Sequence, residues 1–128
     1  MLLVETYVAP SKIEGVGLFT KVDIKKGQVV WSFNEIIDKK YTEEEKKSLP
    51  DIVQRFIEKY AFLDKSGWWI LCGDHGKYVN HNDKPMSIES DTPNEITRDL
   101  IAARDIKAGE ELTENYKEWD MMVELKNI

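Results

Sequence analysis

Apolar residues fall along this chain in short runs of strand length: "LLVETYV", "VGLFT", "VVWSF", "WWILC" and "LIAAR". These runs are rich in β-branched and aromatic residues and are bounded by Gly, Asp, Asn or Lys-Gly, the pattern of strands between turns. One stretch departs from it. From Asp51 to Tyr60, the residues Ile52, Val53, Phe56, Ile57 and Tyr60 recur at helical spacing, which predicts a helix with one apolar face. Pro50 suits the first turn of that helix, where its missing N–H leaves no bond unmade. Upstream, "TEEEKK" offers Thr42 as an N-cap with Glu45 three residues on, a capping box for a short solvated helix. The expected fold is mostly β, with one or two short helices in the middle.

A fragment occurs twice. "DIKKGQVV" begins at Asp23 and "DIKAGEEL" at Asp105, each between two strand-like runs. The glycine supplies a turn conformation that other residues adopt poorly. Two related turns so far apart predict either a folded-over sheet with rough internal symmetry or two convergent hairpins.

Composition narrows the class. The 128 residues suffice for one domain and not two, and 41% apolar with 33% charged residues fits a globular chain. A net charge of −6 disfavours direct nucleic-acid binding and favours a basic partner, such as a lysine-rich peptide. Cys72 is the single cysteine, so no internal disulfide forms, and a reducing, cytoplasmic-type compartment is expected. "MLLVETYVAP" lacks a basic start and reaches Glu5 after three apolar residues, which argues against a secretory leader. No apolar run approaches the roughly 18–20 residues of a membrane helix, so no membrane role is expected.

His75 and His81 are the only histidines, and with one cysteine they make a structural zinc site improbable; no metal is expected. His81 lies in "KYVNHNDKP", flanked by two asparagines. Its residue type alone leaves a metal ligand, a general base and a polar turn all open.

Four pieces stand in order: "SKIEGVGLF" with its Gly-x-Gly at Gly15 and Gly17, "KYAFLD" from Lys59, "KYVNHN" from Lys77, and "ARDIKAGEELTENY" from Ala103 to Tyr116. A lone Gly-x-Gly is a weak signal, more often a bulge or turn than a ligand cradle. Together the four pieces resemble the SET domain, the family of protein lysine methyltransferases that use S-adenosylmethionine. The resemblance runs from about residue 3 to 119 of a single domain spanning 1–128, with 120–128 as a C-terminal tail. It implies a β-clip fold of small curved sheets, in which the Asn-His segment and the C-terminal tyrosine segment meet in a knot-like crossing.

Position by position, the resemblance implies a cofactor site and a catalytic group. Gly15, Val16 and Gly17 would bring main chain close to the methionine part of S-adenosylmethionine. Asn80 would meet its zwitterionic end, and His81 would hold the adenine mainly through main-chain groups, being neither metal ligand nor base. Lys77 would neutralise the cofactor carboxylate, unless it is simply solvated. Tyr116 matches the catalytic tyrosine, and Tyr60 with Tyr78 would wall the substrate-lysine channel. For Tyr60 the competing reading is a core aromatic on the helix face.

The chain also departs from the family. Asn82 replaces a usual serine, and Pro85-Met86 stands where Pro-Asn is typical. Glu114 occupies a place where many relatives carry Phe or Tyr, so rules for mono-, di- or trimethylation do not carry over. The tail "KEWDMMVELKNI" carries no cysteine, whereas many relatives close the lysine channel with a zinc-bound, cysteine-rich segment. Trp119, Met121 and Met122 could cover the adenine instead, or pack on the core or on a second subunit in a homodimer. Two functions follow: methyl transfer to a lysine of a basic protein substrate, or a catalytically silent β-clip module that binds a partner or small ligand. The substrate itself is not legible.

Overall fold

The expected strands form, and they divide between two sheets. The structure is a computed structural model that describes residues 1–64, 67–81, 88–90 and 99–114, with main chain alone at His81 and 88–90. In chain order these are β1 (Thr6–Pro10), β2 (Val16–Thr20), β3 (Val29–Trp31), β4 (Lys39–Thr42), α1 (Glu43–Lys47), α2 (Asp51–Tyr60), β5 (Phe62–Leu63) and β6 (Trp68–Leu71). A 3₁₀ turn (His75–Tyr78) then leads to β7 (Asn80–His81), β8 (Ile88–Ser90), β9 (Leu100–Ala102) and β10 (Glu111–Glu114). The larger sheet runs β1-β2-β10-β8-β9-β3 with β7 beside β10, and the smaller runs β4-β6-β5. No helix among the described residues is long and apolar enough to cross a membrane.

Strands of two to five residues bury little by themselves, so the core is assembled from many of them. Leu18, Ile24, Val30, Ile70, Ile106 and Leu112 are its largest fully buried members. Burying each such side chain stabilises the fold by about 1.5–3 kcal/mol. The first strand starts later than "LLVETYV" implies. Leu2 joins Trp31 only through an isolated bridge, because the regular ladder with β2 begins at Thr6.

The two Asp-Ile-Lys-x-Gly fragments clasp each other. Ile24 and Ile106 face one another, each N–H donating to the other's carbonyl at 2.8 Å. Asp23 Oδ1 accepts from Ala108 N at 2.9 Å, and Asp105 Oδ1 accepts from Lys26 N at 2.8 Å. Gly27 and Gly109 take φ of +85° and +90°, where a Cβ would be strained. Even the side chains that close each turn correspond: Gln28 accepts from Lys25 N and Glu110 from Lys107 N. The symmetry is real, but neither turn is a hairpin. β2 pairs with β1 and β10, while β3 pairs with β9. Each turn therefore carries the chain from one ladder to another.

The capping box forms as its residues predict. Glu45 N donates to Thr42 Oγ1 at 3.0 Å and Thr42 N donates to Glu45 Oε1 at 2.9 Å. The bond from the Thr42 main chain, followed by the one to its side chain, holds the Glu45 carboxyl below its ordinary value. The helix is not wholly solvated, however. Lys46 is buried with its ammonium over the Trp69 ring, between Glu43 at 3.3 Å and Glu58 at 3.5 Å. Pro50 stands at the N-cap of α2 rather than inside its first turn.

The apolar face of α2 is only partly covered. Ile57 is buried with Ala61 against Trp69, yet Ile52 is 71% and Phe56 45% exposed. The three-stranded sheet beneath is narrow, so it covers one stripe of the helix and leaves the adjoining stripe in solvent.

Candidate functional site

An open cavity of about 780 Å³ lies between β1, the start of β2 and the 3₁₀ turn. Thr6 and Val8 face it together because alternate residues of a strand share a face. Leu2, Val4 and Val16 extend this apolar side, and Asp74, His75, Lys77 and Tyr78 form the polar one. The turn is held from both ends. Asp74 Oδ1 accepts from Gly76 N at 3.0 Å, and its Oδ2 accepts from Leu2 N at 2.8 Å. Gly73 N donates to buried Asp38 at 3.0 Å. Lys77 is tethered at the rim, where Nζ donates to the Asp74 carbonyl at 3.2 Å and lies 5.2 Å from the centre of the Tyr78 ring.

The glycine pair has two different local causes. Gly15 takes φ of +48° with nothing near its would-be Cβ, so its conformation requires the residue. At Gly17 a Cβ would stand 2.3 Å from Glu111 Oε2. Asn80 lies beside them. Its Nδ2 donates to the Val16 carbonyl at 3.0 Å, to the Glu14 carbonyl at 3.3 Å and to Glu111 Oε2 at 3.0 Å. Ser11 completes the cluster by donating its hydroxyl to the Glu111 carboxylate at 2.9 and 3.0 Å. Ser11 and Glu111 were missed as site residues, although each stands in a quoted motif. Their one sequence signal was that position, since neither residue type marks a ligand contact.

The Asn-His segment runs parallel to β10, with Asn80 opposite Thr113 and His81 opposite Glu114. β8 also pairs with β10 in parallel, at Ile88 and Glu114. The two candidate channel tyrosines meet: the Tyr60 and Tyr78 ring centres are 6.3 Å apart at 76°, and Phe56 packs on Tyr60 at 4.8 Å. Tyr78 thus belongs both to the aromatic group and to the cavity lining. Tyr60 itself is half-buried.

Cys72 is poorly suited to nucleophilic work. Burial, then the carboxylates of Asp38, Glu114 and Asp74, push its thiol well above the ordinary value, so it stays protonated. Among the described residues no group of three His, Cys, Asp or Glu side chains could hold a metal ion. Tyr116, Trp119, Met121 and Met122 lie outside the described residues, as do Asn82, Pro85 and Met86.

Comparison with known proteins gives a consistent result. The family model described as SET domain matches residues 15–117. Over 120 residues the chain is 29% identical to Histone-lysine N-methyltransferase trr of Drosophila melanogaster, covering 87% of this chain and 5% of that protein. It therefore spans only about one-twentieth of the length of that relative. Chaetomium thermophilum Polycomb Repressive Complex 2 bound to GSK126 superposes with a TM-score of 0.70 at 25% identity, over 97% of this chain and 17% of that one. The same fold is shared at 24% identity and a TM-score of 0.68 with an autoinhibited form of that complex bound to S-adenosylmethionine, over 97% and 16% of the two chains.

Proposed function

The chain belongs to the SET-domain family, and from that premise we propose that it transfers a methyl group from S-adenosylmethionine to the ε-amine of a lysine in a protein substrate. The observation that carries this reading is the parallel pairing of β7 with β10. That pairing sets Asn80 against both the Gly-x-Gly strand and the strand whose sequence continues to Tyr116.

The residues suit the cofactor. A cavity of about 780 Å³ is in the range of small-molecule sites, which are commonly about 300–1,000 Å³. Its apolar side accepts a base and ribose, and Lys77 and Val16 belong to its lining; Asn80, bonded to the Val16 carbonyl, would add its amide from beside the cavity, with the main chain at Gly15 and Gly17. His81 and Trp119 complete the proposed set. When bound, S-adenosylmethionine supplies an electrophilic methyl group on a sulfonium.

The protein's own tasks are to align a neutral amine, exclude water and carry off a proton. Tyr60 and Tyr78, set nearly perpendicular, form a wall along which a lysine stem can lie. Their ring faces tolerate an ammonium or methylated ammonium group. The Tyr116 hydroxyl is assigned to orienting the amine at the reacting end. A chain of net charge −6 favours a basic substrate, and the reducing interior of the cell is the proposed setting.

Calorimetry with S-adenosylmethionine separates this reading from a silent binding module, for which no heat of binding is expected. For the catalytic assignment, Tyr116→Phe is measured in single-turnover methyl transfer to a lysine peptide identified with labelled cofactor. The expected loss is about 30- to 1000-fold in rate with cofactor affinity preserved. A folded, cofactor-binding variant that transfers at the wild-type rate makes Tyr116 structural.

A further inference from the structure

Glu111 has no role in the reading above, yet it joins three of its parts. Its carboxylate accepts from the Ser11 hydroxyl, accepts from Asn80 Nδ2 and lies against Gly17. The strand register explains why. Glu111 opens β10 opposite Phe19, so Gly17, two residues before Phe19, is its diagonal neighbour on the same sheet face. Any side chain there would occupy the carboxylate's place: a Cβ would stand 2.3 Å from Oε2 and 2.8 Å from Cδ.

Glu111 also fixes which way Asn80 faces. The neighbours of its amide nitrogen are the Glu14 carbonyl, the Val16 carbonyl and the Glu111 carboxylate, which all accept and cannot donate. The N–H groups must therefore turn to the protein. What Asn80 can present to a ligand is Oδ1, which only accepts. Ser11 extends the lock to the glycine loop, because its main-chain N–H donates to the Gly15 carbonyl at 2.9 Å and its hydroxyl accepts from Ile13 N at 2.9 Å.

We propose that Glu111 is a positioning residue that locks the Asn80 amide and the Ser11–Gly15 loop in one arrangement, and that Gly17 is glycine to admit this carboxylate. Asn80 then presents Oδ1, an acceptor, on its free side. The expected effect on cofactor affinity rests on the cofactor reading above; the lock itself does not.

A double-mutant cycle on the full chain tests it, with S-adenosylmethionine affinity by calorimetry and the Asn80 side-chain amide signals by NMR without ligand. Glu111→Ala is expected to weaken affinity about tenfold and move the amide signals, as the loss of a charged hydrogen-bond partner predicts. Glu111→Gln should recover most of both, because its carbonyl can accept from Asn80 while its amide donates to Ser11. Gly17→Ala should cost about tenfold in the wild type but less than about twofold in the Glu111→Ala background, since coupled sites are not additive. An equal cost in both backgrounds means that Gly17 serves the ligand's approach, which overturns the proposal. Should Glu111→Ala fail to fold, Ser11→Ala removes one anchor of the carboxylate and must still move the Asn80 amide signals; unchanged signals overturn the lock. Absence of cofactor binding in the wild type sinks only the cofactor reading, because the amide signals still decide the lock.

Discussion

Replacing Gly73 by alanine puts the assembly of the cavity under direct strain. Gly73 precedes the 3₁₀ turn that bears Lys77 and Tyr78, and a Cβ on it would stand 1.8 Å from the Ile37 carbonyl oxygen and 2.7 Å from its carbon. Both are backbone atoms, so no rotamer change relieves the clash. The two segments must part until 1.8 Å becomes at least 3.0 Å. That movement breaks the 3.0 Å bond from Gly73 N to Asp38, whose residue is only 1% exposed. Losing a hydrogen bond to a buried carboxylate costs about 1.5–3 kcal/mol, and forcing an extra methyl into packed structure about 1–3 kcal/mol. The expected destabilisation is therefore about 2.5–6 kcal/mol, a large part of the roughly 5–15 kcal/mol that holds a domain together. Urea unfolding followed by tryptophan fluorescence measures it, because Trp69 is buried and reports the smaller sheet. Cofactor affinity should fall as well, since the same displacement pulls Asp74 from Leu2 N at the cavity wall. A loss under about 1 kcal/mol with an unchanged denaturant slope refutes the reasoning. It would mean that the Gly73 segment yields without disturbing Asp38.

Two further outcomes follow from the described contacts. Asp23→Ala and Asp105→Ala each remove one of the paired cross-turn bonds, so each should cost about 0.5–1.5 kcal/mol. Thermal or urea unfolding that finds one costly and the other neutral contradicts the symmetric clasp. Glu43 is raised by burial, but the Trp69 indole N–H, then Lys46 and Lys47, outweigh that, so its folded value lies below the ordinary 4.5. Its stabilisation is full above 4.5 and is lost as pH falls through the lower folded value. Glu43→Gln should flatten that acid limb in melts between about pH 6 and pH 3, and an unaltered limb counts against the Trp69–Glu43 pair.

Local rules sufficed wherever the partner of a residue lay within a few positions of it. Thr42 and Glu45 are three apart, so their reciprocal cap was legible, and the spacing of Ile57 and Tyr60 marked α2. The ordered motifs from Gly15 to Tyr116 carried the family and, through it, the residues to inspect. Long-range packing overruled local pattern elsewhere. The face of α2 reads as uniformly apolar, but how much of it is buried depends on the width of the sheet beneath, which periodicity cannot express. The repeated Asp-Ile-Lys-x-Gly turns look like hairpins in isolation and clasp one another because β2 and β3 pair with strands far along the chain. Gly17 shows the same limit at the site. Its motif marked it, yet its reason is Glu111, nearly a hundred positions away, brought near by the β2–β10 register. A pattern of residue types records what each position tolerates. Which distant group imposes the tolerance is set by the pairing of strands, and that pairing reflects burial summed over the whole core.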